Sequence, residues 1–187
     1  MKKISYISLT FLLVVYLGIR CASVPIEAKL IVMGSPFPRV SGEDLNGNRV
    51  LVPIENPQKP FTVLLVGYVQ RAQFDCDRWI LGLSQLETPA NLLELPTITG
   101  MLPGMFAGRI DSGMRSGIPA EDWGSVVTLY GNDATEVVNF LGNRGGANAH
   151  VVVLDIDGRV IWFHDRGYSA SKVMEVDALV RSGKGAY

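Results

Sequence analysis

Hydrophobic and polar positions alternate along the chain in blocks that predict an α/β order. Residues 61–68 (FTVLLVGY) form an unbroken apolar, β-branched run with no polar residue at every second position. That pattern predicts a central strand covered on both faces. A polar turn follows and opens into a helix over 71–86, with Phe74, Trp79, Ile80, Leu83 and Leu86 supplying an apolar face. Asp75 is at helical neighbour spacing from both Arg71 and Arg78 and can pair with either. Upstream, short strands are predicted at 39–45 and 49–53. Asn46-Gly47 between them predicts a type I′ turn, which needs positive φ at both central residues. Downstream, 92–98 reads as a strand that ends at or just after Pro96, and 126–130 as another. Gly131-Asn132-Asp133 predicts a turn and helix cap ahead of a helix over 134–141, which turns Val137, Val138 and Leu141 to one side. A buried strand at 150–154, the turn Asp155-Ile156-Asp157-Gly158 and a returning strand at 159–164 make a hairpin. Ser169 or Ser171 caps a last helix carrying Val173, Val176, Leu179 and Val180. Residues 99–124, rich in Gly, Pro and Met, fit no single template. They form either a functional loop or a segment with a short helix around 103–115.

Composition sets the outer limits. The chain has 187 residues, 48% of them hydrophobic, enough for one sizeable core and not for a second full domain. The net charge of −1 gives no footprint for nucleic acid, so none is expected as a partner. The N-terminus resembles an export signal: Lys2-Lys3, an apolar run over 4–19, then Cys21-Ala22-Ser23. Three fates follow for residues 1–23: cleavage near Ser23, retention as a membrane anchor, or lipid attachment to Cys21. Each places the body of the protein outside the cytoplasm, in the periplasm or on the outer face of a membrane. Removing residues 1–23 deletes Lys2, Lys3 and Arg20 and no acid, which changes −1 to −4. Residues 24–33 then read as a tether, and 34–187 as the folded domain.

The order of elements resembles the thioredoxin-like fold. The segment from Gly34-Ser35-Pro36-Phe37-Pro38 to Leu45-Asn46-Gly47 resembles the opening of peroxiredoxins and of membrane-tethered thioredoxin-like proteins. The segment from Val152 to Val160 resembles their closing hairpin. A narrower likeness involves Asn143, residues 149–155, 158–162, Gly167 and Ser169-Ala170, which are similar to the thioredoxin-like assembly factors of the mitochondrial ATP synthase. The resemblance implies a central mixed sheet flanked by helices, with an N-terminal hairpin. It also implies chemistry at the start of the helix after the central strand.

That chemistry needs two cysteines two residues apart, the first a low-pKa thiolate. Here the turn reads Gln73-Phe74-Asp75-Cys76, so the attacking position has no sulfur. Ala149 stands where the family places a cis-proline. Two readings of Cys76 stay open. As a catalytic thiol it would serve a single-cysteine redox or peroxidase reaction, with Arg71 or Arg78 favouring the thiolate. As a structural residue it packs in the core. Asp75 and Asp77 beside it would raise its pKa.

A polar cluster of Arg71, Gln73, Asp75 and Arg78 is the expected binding edge. Arg115, His164 and Arg166 join it if segment 99–124 folds over, and the arginines would suit an anion or a partner's carboxylate. His150 and His164 sit on adjacent strands and could face each other, but lack a third ligand at motif spacing, so no metal and no cofactor is expected. The preferred function is a binding or assembly role in the cell envelope, with a protein partner at the membrane.

Overall fold

A computed structural model describes residues 31, 33–99, 103–142 and 146–183. The elements run β1 (Val40–Asp44), β2 (Arg49–Val52), β3 (Thr62–Gly67), α1 (Gln73–Gln85), β4 (Asn91–Ile98) and α2 (Pro103–Gly117). β5 (Val127–Tyr130), α3 (Gly131–Leu141), β6 (His150–Leu154), β7 (Val160–His164) and α4 (Ala170–Ser182) follow. The strands make one mixed sheet in the order β2-β1-β5-β4-β3-β6-β7. β3 pairs parallel with β4 and antiparallel with β6. The N-terminal hairpin joins through the antiparallel pair β1–β5.

β3 reads as a continuous apolar run because both of its faces are covered. Leu64 and Val66 point into one cluster with Leu93, Leu95, Leu129 and Val137, beneath α3. Val63 and Leu65 point into the other with Trp79, Leu83, Val173 and Val176, beneath α1 and α4. At Gly82 an added Cβ would lie 3.0 Å from Val173, so the missing side chain lets α1 and α4 approach closely. Signal, tether start and Cys21 fall in residues 1–30, outside the described residues.

Several local expectations change. The hairpin turn is not type I′: Gly47 has φ 86°, while Asn46 is not among the residues with positive φ. The Asp44 carboxylate organises the turn instead, accepting the backbone N–H of Asn46 at 2.9 Å and of Asn48 at 2.8 Å. Helix α1 opens through a 3-10 turn at Gln70–Ala72, and its buried stripe is Ala72, Cys76, Trp79 and Leu83. Phe74, placed on the apolar face from sequence, is 70% exposed, because it lies about 200° around the helix from the stripe's Cys76. Strand β4 continues through Pro96, which pairs with Gly67. Asp133 does not cap α3; its carboxylate accepts the Ser41 N–H at 2.8 Å and ties α3 to β1. Segment 99–124 resolves into α2 and a 3-10 turn at Ala120–Ser125.

Candidate functional site

The helical rotation of about 100° per residue divides the polar residues at the start of α1 between two sides. Gln73 and Asp77, four apart, share one side, and the Gln73 amide donates to Asp77 at 2.9 Å. Asp75 and Arg78, three apart, share another, where they form an ion pair. The Arg78 guanidinium also lies over the Tyr168 ring, 5.2 Å from its centre. The expected single cluster is therefore not one site. Asp75 pairs with Arg78 and not with Arg71, which is exposed. Arg115 is drawn to the N-terminal hairpin, where it donates to the Leu45 carbonyl at 2.6 Å and lies over Trp123. Arg166 is exposed beyond β7. The His164 ring stacks on Trp162, and its Nε2 is 2.9 Å from the Gly167 carbonyl oxygen.

The two histidines do not face each other. Val151 is the register partner of His164, so His150, one residue earlier, points to the opposite face of the sheet. His150 is fully buried beside Tyr68. Among the described residues, no group of three or more His, Cys, Asp or Glu is placed to hold a metal.

Cys76 is 1% exposed and shares its apolar cluster with Trp79 and Ala149. Its thiol lies against the end of β3, with Sγ 3.9 Å from where a Cβ on Gly67 would stand. Burial pushes its pKa far up, and the charges of Glu94, Asp77 and Asp75 push in the same direction. A thiol in this state is neither an accessible nucleophile nor a thiolate at neutral pH.

The open space lies on the other side of α1. A cleft of about 710 Å³ runs between the carboxyl ends of β3 and β4 and the underside of α2. Gln73, Asp77 and Glu94 line it from below, and Ile110, Met114 and Ile118 from above. An adjoining cavity of about 480 Å³ shares Gln73, Asp77 and Glu94 and adds Leu81 and Asp122. Two anchors hold the cover in place: the Arg115 bond to the hairpin, and Tyr130, whose hydroxyl donates to Asp111 at 3.1 Å.

Glu94 is the residue that sequence reasoning missed. It occupies the α1 face of β4, opposite Leu65, and is 5% exposed. Burial pushes its carboxyl up to about 7; a hydrogen bond from Gln73 opposes the shift and the charge of Asp77 adds to it. A buried acid with a raised pKa at the floor of a cleft is a mark of a functional site. The signal was present in the sequence as a lone acid in the run Leu92-Leu93-Glu94-Leu95, since isolated charges are almost never fully buried in a strand without a role.

No protein-family profile and no curated protein matches this chain. Solved structures do. The thioredoxin domain of a thiol-disulfide oxidoreductase from Bacteroides vulgatus aligns with a TM-score of 0.55 at 14% identity, over 81% of this chain and 99% of that one. A thiol:disulfide interchange protein from Bacteroides sp. gives 0.55 at 15%, over 84% and 95%. A peroxiredoxin-like protein from Aquifex aeolicus gives 0.52 at 12%, over 82% and 91%. At these identities the likeness shows the fold: a thioredoxin-like sheet flanked by helices.

Proposed function

We propose that this thioredoxin-like domain is a binding or assembly protein of the cell envelope that works without thiol–disulfide exchange. The observation that carries the reading is the state of Cys76. The position that attacks in a dithiol pair is Gln73, and the remaining thiol is sealed under α1 with its pKa raised. The volume at the helix start is instead an open, mostly apolar cleft with a few polar groups, the form expected of a binding site. Exposed Val69, Phe74 and Leu81 on the same helix and its approach supply apolar surface for a protein partner.

The envelope location rests on Lys2-Lys3 and the apolar run over 4–19, with the membrane partner reached from that tether or from a lipid on Cys21. The assembly role draws on the C-terminal likeness to the ATP synthase assembly factors. The test is enzymatic. The purified protein and its Cys76→Ser variant are assayed for insulin reduction with dithiothreitol and for peroxide consumption. Neither turns over above background if the reading holds. Turnover by the wild type that disappears in Cys76→Ser overturns it in favour of a single-cysteine enzyme.

A further inference from the structure

The geometry points to a cationic side chain, lysine or arginine, of a partner protein as the group this cleft receives, its charge on Glu94 and its stem against Met114 and Ile118. The inference rests on the binding role proposed above and adds the chemistry of the contact.

Three observations carry it. The first is charge complementarity: among the described residues, neither the cleft nor the cavity adjoining it is lined by a Lys, Arg or His, while Glu94, Asp77 and Asp122 contribute carboxylates. The second is position. Glu94 lies at the floor and is 5% exposed, and the Gln73 amide fills one of the roughly four acceptor directions of its carboxylate. The third is the wall chemistry. Ile98, Ile110, Met114 and Ile118 form an apolar sleeve, which matches the methylene stem that Lys and Arg carry beneath their charge. An anion would meet two carboxylates here, and a purely apolar group would leave the ionised carboxylate desolvated without a partner.

Binding of a cation is coupled to loss of the Glu94 proton. The groups that face Glu94 are Asp77 and Cys76 from α1, with neutral Gln73; Asp122 reaches the adjoining cavity from the 3-10 turn. Tyr68 lines the cleft from the end of β3, and among the described residues α2 contributes Ile110, Gly113, Met114 and Gly117, none of which titrates. With its carboxyl near 7, Glu94 is mostly protonated at pH 6 and mostly ionised at pH 8.

The test uses the full-length protein and three blocked pentapeptides, acetyl-Gly-Leu-X-Leu-Gly-amide with X lysine, arginine or norleucine. Binding is measured by calorimetry and by amide NMR shifts. The lysine and arginine peptides are expected to bind at least tenfold more tightly than the norleucine peptide, shifting the signals of Gln73, Glu94 and Met114. Their affinity falls about tenfold from pH 8 to pH 6, following the ionised fraction of Glu94. Glu94→Gln removes both the preference and the pH dependence, while Ile118→Trp, which fills the cleft and leaves its charge alone, weakens all three peptides. Equal affinity for the norleucine and lysine peptides overturns the inference and leaves the binding role standing. Failure of all three peptides to bind the wild type overturns it too, whereas turnover through Cys76 removes the binding role itself.

Discussion

Replacing Glu94 by Gln tests whether the floor of the cleft holds a destabilised charge. In the folded protein its carboxyl is pushed from an ordinary value of 4.5 up to about 7. Between those two pH values the folded state binds more protons than the unfolded chain, so stability falls as pH rises. The full loss is present above pH 7 and absent below 4.5. A displacement of this size corresponds to about 3 kcal/mol. Glutamine keeps the shape of the side chain and cannot ionise. Relative to Glu94→Gln, the wild type is therefore expected to lose about 3 kcal/mol between pH 4.5 and pH 8. In a chain of this length that is a fall in Tm of roughly 6–12 °C. Urea unfolding followed by circular dichroism at intervals across that window gives both curves. Parallel curves for the two proteins would refute the assignment of a buried, protonated acid and remove the pH argument from the cleft.

Three further outcomes are expected. In a Cys21→Ser background, Cys76 should resist Ellman's reagent in the native protein at pH 8 and react completely in guanidinium; rapid native labelling would contradict its burial. Gly42→Ala should cost roughly 1–3 kcal/mol, because a Cβ there would stand 2.4 Å from the Thr128 carbonyl oxygen at the β1–β5 seam. Gly108→Ala, which meets nothing within 4 Å in α2, should instead gain roughly 0.5–1 kcal/mol. Equal effects in urea melts would show that backbone entropy, not crowding, governs both sites.

The parts of the fold that were legible in the sequence are those whose burial is uniform or strictly alternating. β3 and β6 are buried along nearly their whole length and are written in Val and Leu, so no partner strand had to be known to find them. The turn at 155–158 could be read from its Asp and Gly, because Asp155 accepts the N–H groups of Asp157 and Arg159 and Gly158 takes φ 74°. α2 was hard to read because Gly104, Gly108, Gly113 and Gly117 weaken the helix signal. What supports it is tertiary: Ile110, Met114 and Ile118 recur every four residues over the cleft. The candidate site was misjudged for a rotational reason. Residues 71–78 are adjacent in sequence, yet Gln73 and Asp77 turn to Glu94 while Asp75 and Arg78 turn to Tyr168. Glu94 is distant in sequence from all of them, and only strand pairing places it beneath α1.

With an amide at position 73 and the sulfur of Cys76 shut beneath its helix, this mouth offers, among the described residues, no thiol for exchange with a passing disulfide. Oxidised glutathione therefore leaves this surface unchanged. Acidity does not, because a single proton on Glu94 near pH 7 removes its charge and leaves Asp77 as the other acid at the floor. On this thioredoxin-like scaffold the charge of the cleft thus follows the proton on Glu94 and no thiol.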